Sequence, residues 1–327
     1  MKLANNVAIV TGSGIGIDAP LGVHRMRVAI LGTGAIGGYY GALLAKTGED
    51  VVFVARGAHL QALNSHGLTV KTADAESTLR VTAIGNTDAV GPVDLVLFCV
   101  KSYDTDTAAA SLGPLMTPQT LVLTLQNGLD NVETIASVVG WEAVLVGSVY
   151  VALQLVAPGV IVYAGGEGKI VFGELAGGPT ERTRRIAEVF QRAGILHEVS
   201  TDMPHILWEK FLFITGVGGI TALAHSSIGP LLASAEGQRL LTASCAEVDA
   251  VAMAEGIQLG RDAVQRTLKQ AGSLAPQWQS SMARDLEVGR RLEVEALSGA
   301  VVRRGRTYGI PTPVHQAIWA CLLVHQP

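Results

Sequence analysis

The chain has 327 residues, a formal net charge of −4, and 16% charged against 49% apolar residues. That length suits two domains with sizeable cores, and that balance excludes intrinsic disorder. It supplies no basic field to grip a phosphate backbone, so nucleic acid is not an expected partner.

Residues 1–25 read as an atypical N-terminal extension ahead of Met26. The stretch ANNVAIVTGSGIGID resembles the opening of a short-chain dehydrogenase. That family also needs a tyrosine with lysine four residues on, and none of the six tyrosines (39, 40, 103, 150, 163, 308) has one. From Arg27 the chain alternates strands and helices. RVAIL (27–31) is a strand that opens into glycines, Ile36–Lys46 is helical, and Val51–Ala55, Leu95–Val100 and Leu121–Leu125 are further uncharged strands. Such runs suit strands buried on both faces of a parallel sheet. The nearly uncharged Ala143–Ala164 contains Gly147, Pro158 and Gly159, and reads as two buried strands and a turn rather than a membrane helix.

LAGGPT (175–180) is a glycine–proline break, and beyond it the pattern turns helical: Glu181–Ala193, Trp208–Ala224, Ser234–Glu255, Arg261–Ala271, Ser281–Tyr308 and His315–Val324. Phe211–Ala224 is too short to span a membrane, so no membrane association is expected. The expected fold is α/β, a Rossmann-type doubly wound sheet over 26–178 followed by an all-helical substrate domain over 179–327. Three cysteines (99, 245, 321), widely spaced and with no CxxC, argue against disulfides or a zinc site and fit a cytoplasmic setting. The eight histidines have no HExxH-type spacing, so no metal is expected.

Gly32, Gly34 and Gly37 form GxGxxG after a strand and at the start of a helix. The first glycine permits a tight turn, the second lets a pyrophosphate approach the backbone with Ala35 and Ile36 beside it, and the third lets helix and strand pack closely. The next strand ends in Arg56 where an NAD site wants an acid. No acid follows nearby in the sequence, so the guanidinium is expected to pair with a 2′-phosphate, which selects NADP(H). Lys101 and Asn127 follow the next two expected strands, at the sheet edge where ligands bind. In the helical half, Lys210 sits in WEKFLFITG, while Ser281 and Glu293, twelve residues apart, can share one side of a continuous helix.

In this order, GTGAIGG, ARGAHL, CVKSYD, QNG, WEKF, SSMARDLEVGRRLEVEALSGAVVRRG and GIPTP resemble the ketopantoate reductase (2-dehydropantoate 2-reductase) family from about Met26 to the C-terminus. The resemblance implies NADPH-dependent reduction of a 2-oxo acid to a 2-hydroxy acid, as in pantothenate and coenzyme A biosynthesis. It implies Lys210 as the catalytic lysine at the ketone oxygen and Glu293 as the acid that assists it and binds the substrate hydroxyl. Ser281 matches a contact to the substrate carboxylate, and Asn127 and Lys101 match residues on the nicotinamide side. A homodimer is left open. The chain departs from the family at Ile214 and Gly218, which stand where substrate-holding asparagines are expected, and at Trp278. The pocket is therefore expected to be more apolar, with a substrate bulkier or less polar than ketopantoate. A hydroxyacid or opine-type dehydrogenase, and a non-catalytic NADPH-sensing protein, are the competing readings.

Overall fold

The computed structural model describes residues 25–326, so the extension expected at 1–25 lies outside the described residues apart from Arg25. Ten strands form one sheet: β1 (Arg27–Leu31), β2 (Asp50–Val54), β3 (Leu68–Lys71), β4 (Glu76–Leu79), β5 (Thr82–Ile84), β6 (Leu95–Phe98), β7 (Leu121–Thr124), β8 (Val144–Ala157), β9 (Val160–Gly173) and β10 (His197–Val199). The helices are α1 (Ala35–Lys46), α2 (Gly57–His66), α3 (Thr105–Ala110), α4 (Asn131–Val139), α5 (Glu181–Arg192), α6 (Met203–Leu223), α7 (Ile228–Ala233), α8 (Ala235–Ala254), α9 (Ala263–Gly272), α10 (Ser281–Glu287), α11 (Ala300–Tyr308) and α12 (Pro313–Leu323).

The strand order is β4-β3-β9-β8-β7-β6-β1-β2-β5, with β10 pairing β9. Pairing is parallel from β5 through β2, β1, β6 and β7 to β8, and antiparallel between β8 and β9. The uncharged runs are explained by their two buried faces. Val28, Ile30, Leu95 and Leu97 enter one core, while Ala29, Leu31, Val96 and Phe98 enter the core on the other side. Alternate residues point to opposite faces, so a strand covered on both sides has no place for a charge.

The carboxyl ends of the central strands face the helical half. Its axis is α6, whose Trp208, Phe211, Val217 and Ile220 are buried and which packs against α8, α10 and α12. The 21 residues of α6 are by length and composition apolar enough to cross a membrane. The helix begins at Met203, five residues ahead of the expected Trp208, because Asp202 caps it by accepting from the His205 N–H at 3.1 Å. Its apolar character reflects its place at the centre of a bundle.

The structure corrects three expectations. The division expected between 178 and 179 falls later: β10 pairs with β9, and Ile186, Val189 and Phe190 of α5 join the core of the sheet. β8 and β9 do form two strands about the Pro158–Gly159 turn, but only the first six residues of β8 are buried. Finally, Ser281–Tyr308 is not one helix. It stops at Glu287, turns through Gly289 at φ +65°, and resumes as a π-helical turn at Glu295–Gly299 before α11. The glycine adopts a left-handed backbone that other residues resist, so the helix cannot continue through it.

Candidate active site

A cleft of about 1220 Å³ runs between the carboxyl edge of the sheet and the helical half. Its phosphate end is built by the glycine loop. Gly32 has φ +96°, and a Cβ there would lie 2.5 Å from the backbone nitrogen of Val100, so only glycine fits. A Cβ on Gly37 would lie 2.4 Å from the Gly32 carbonyl oxygen and 2.8 Å from Ile30, which is the close helix–strand approach. Gly34, the N-cap of α1, is different: a Cβ there would meet nothing within 4 Å. It borders open space at a helix N-terminus, where backbone N–H groups favour an anion. Thr33 ties the loop to the end of β2 through its hydroxyl, which donates to the Val54 carbonyl at 2.9 Å. Gly32, Gly34, Ala35 and Ile36 line the cleft, whereas Gly37 is buried behind it.

Arg56 lines the cleft at the start of α2, with an exposed side chain. An acid does meet it: Asp104 accepts from its Nη2 at 2.8 Å. Asp104 lies 48 residues on in sequence, and the sheet edge brings the two together. His59 also faces the cleft; its Nδ1 accepts from the Gly159 N–H at 2.9 Å, and burial lowers its pKa. It is therefore a neutral brace under the loop.

At the chemical end, Lys101 extends from β6 to two acids of the helical half. Its Nζ lies 3.0 Å from Asp285 Oδ2 and 3.0 Å from Glu293 Oε2. Burial disfavours its charge, but the two carboxylates outweigh that and raise its pKa. The other oxygen of Glu293 accepts from the Ser102 N–H at 3.0 Å. Glu293 is buried, so these donors compensate a charge that would otherwise be costly. The π-helical turn that begins two residues after Glu293 re-aims the chain here, with the Gly299 N–H reaching back to the Val294 carbonyl at 2.9 Å.

Asn127 follows β7 and lines the cleft, and its backbone carbonyl accepts from Asn131 Nδ2 at 2.7 Å. Gln126 pins the same loop by donating to the Val100 carbonyl at 3.0 Å and to Thr105 at 2.8 Å. The side-chain amide of Asn127 makes no hydrogen bond among the described residues, which leaves it for a ligand.

Lys210 lines the cleft from α6 and has no ion pair or hydrogen bond among the described residues. Burial pulls its pKa down to about 8, while the charge of Glu293 pulls it upward. Ser281 and Ile214 line the same cleft. Ser281 and Glu293 line the cleft from either side of the break at Gly289, not along one continuous helix. Gly218, expected to hold substrate, is buried away from the cleft. A Cβ there would sit 3.2 Å from Ser280, whose hydroxyl donates to the Gly218 carbonyl at 3.0 Å and caps α10 by accepting from the Ala283 N–H at 3.1 Å. Gly218 is thus the point where α10 seats on α6.

Several participants escaped the sequence reading: Asp104, Asp285, Phe213 and Arg284. Asp285 had a usable signal, since it lies one helical turn from Ser281 and shares its face. Arg284 lines the cleft with no ion pair among the described residues.

A glycine loop at the carboxyl edge of a parallel sheet, facing a desolvated lysine across a cleft, is the arrangement of a nicotinamide-dependent oxidoreductase. The family model for "Ketopantoate reductase PanE/ApbA" matches residues 28–177, and that for "Ketopantoate reductase PanE/ApbA C terminal" matches 202–326. A 2-dehydropantoate 2-reductase of Halobacterium salinarum is 37% identical over 88% of this chain and 95% of its own. One from Mesorhizobium japonicum is 31% identical over 90% and 96%. The crystal structure of a PanE/ApbA family ketopantoate reductase from Ralstonia eutropha superposes with a TM-score of 0.84 at 35% identity, covering 91% of this chain and 97% of that one. The chain belongs to the ketopantoate reductase family. It is an oxidoreductase with a Rossmann-type nucleotide half and a helical half.

Proposed function

We propose that the protein reduces the keto group of a 2-oxo acid, such as ketopantoate, to a 2-hydroxy acid, with NADPH as the preferred cofactor. The observation that carries this reading is Lys210, an ammonium with no ion pair among the described residues and its pKa brought to about 8, in the same cleft as the open Gly34 loop. Gly32, Gly34, Ala35 and Ile36 would hold the pyrophosphate, and Arg56, turning from Asp104, would meet the 2′-phosphate. Asn127 would place the carboxamide end. Bound there, the cofactor supplies the hydride.

The remaining steps belong to the chain. Lys210 donates a hydrogen bond to the ketone oxygen and passes its proton to it as negative charge develops there. A pKa near the working pH suits a group that must both hold and release that proton. An ammonium at that position stabilises charge present mainly in the transition state. Glu293 keeps Lys210 charged, and Lys101 holds Glu293 in place across the cleft. Ser281 and the unpaired Arg284 guanidinium, on successive turns of one face of α10, bind the substrate carboxylate. Three free thiols fit a cytoplasmic setting.

The test follows NADPH oxidation with a panel of 2-oxo acids for the wild type and Lys210→Ala. A fall of about 10² to 10⁴ in kcat, with NADPH binding retained, is expected on losing a general acid. Equal turnover by the variant would refute the assignment.

A further inference from the structure

The wall beside Lys210 is hydrocarbon. On α6, Phe213 and Ile214 lie three and four residues after Lys210, on the same helix face, and all three line the cleft. Trp278 lines it as well and meets Phe213 edge to face, with ring centroids 5.8 Å apart and planes at 63°. The indole is held in place by its backbone: the Trp278 carbonyl accepts from the Ile228 N–H at 2.9 Å, and its N–H donates to the Ala275 carbonyl at 2.8 Å. Trp278 stands three residues before Ser281, and both line the cleft.

Each oxygen of Glu293 has its own donor, from Lys101 and from the Ser102 N–H. Gly218 offers no side chain and is covered by Ser280. Lys210, Ser281, Arg284 and Asn127 suffice for a keto oxygen, a carboxylate and the cofactor, and the surface that Phe213, Ile214 and Trp278 give the cleft is apolar.

We infer that the preferred substrate is a 2-oxo acid whose carbon chain is a bulky hydrocarbon, branched or aromatic, with no hydroxyl, seated on Phe213, Ile214 and Trp278. This rests on the reductase function proposed above. A pocket that hydrogen-bonds a substrate hydroxyl rejects the analogue lacking it, whereas an apolar pocket gains from the added hydrocarbon contact.

The experiment measures kcat/KM with NADPH for three acids: ketopantoate, its isostere lacking only the hydroxyl, and phenylpyruvate. Cofactor binding is read separately by NADPH fluorescence. The isostere is expected to be turned over at least as well as ketopantoate. Trp278→Ala is expected to cut phenylpyruvate turnover roughly tenfold while changing ketopantoate less. Ile214→Asn, which places an amide in a half-buried position, is expected to shift the ratio toward ketopantoate roughly tenfold. A preference of the wild type for ketopantoate over its isostere, about 10⁴-fold where a site binds the hydroxyl, would overturn the inference while leaving the reductase function standing. Absence of turnover with all three acids, with NADPH bound, would overturn both.

Discussion

Lys210 makes the pH dependence of the reaction predictable. Its pKa lies at about 8 where a free lysine has 10.5, with burial as the leading cause. The difference corresponds to roughly 3 kcal/mol of preference for the neutral amine over the exposed reference. On the proposed mechanism, reduction requires the protonated form. With this pKa about nine-tenths of the enzyme is protonated at about pH 7 and about one-tenth at about pH 9. The rate of ketone reduction at saturating NADPH should therefore fall about tenfold across that interval. Oxidation of the hydroxy acid, which needs the neutral amine as base, should rise across it. An unperturbed lysine would leave the reductive rate flat over the same range. The assay is initial-rate NADPH oxidation in buffers of matched ionic strength, with stability checked at each pH. A reductive rate unchanged to about pH 10 would refute desolvation as the force acting on Lys210.

The neighbours of Lys210 should move that limb in opposite directions. Glu293→Gln removes a charge that raises the lysine pKa, so the limb should shift below about 8; Lys101→Ala frees the same charge from its partner, so the limb should shift above it, each read from the same rate profile. Arg56→Ala should raise the KM for NADPH roughly 10- to 100-fold, the loss expected for a charged hydrogen-bond pair, and leave NADH nearly unaffected. Gly34→Ala should keep its melting temperature, since a Cβ there meets nothing within 4 Å, yet bind cofactor more weakly in a titration. Gly37→Ala should instead lose about 1–3 kcal/mol of stability in denaturant unfolding, because its Cβ would lie 2.4 Å from a carbonyl oxygen.

Features that depend on local period or on one backbone conformation were legible in the chain. LVLF, LVLT and the four residues after Arg27 in RVAIL are free of charge because both their faces are buried, and the GxGxxG spacing specifies a turn that Gly32 alone can make. Lys101, Asn127 and Lys210 all line the cleft, and their places were legible because the first two follow strands and the third precedes an apolar run of α6. What escaped was set by contacts distant in sequence. Asp104 lies 48 residues from Arg56, and Asp285 lies 184 residues from Lys101. The segment from Ser281 to Tyr308 reads as helix by composition, yet a single glycine at 289 with φ +65° stops it. The family resemblance placed Gly218 in the pocket, but Ser280 at the start of α10 covers it.

The break at Gly289 is also what makes the acid pair work. A continuous helix from Ser281 would carry Glu293 about 18 Å along its axis, away from the serine and from Asp285. Turning the chain there returns Glu293 to the side of Asp285, so that both meet one lysine from the sheet half. The two carboxylates share Lys101, yet Lys210 still feels the charge of Glu293. Were Glu293 unshared, its full attraction would hold Lys210 protonated and make the proton harder to give up. Were it absent, burial alone would drive the amine neutral. The lysine is poised because a cation from one half of the molecule tempers an anion of the other, and this balance exists only when the two halves lie against each other.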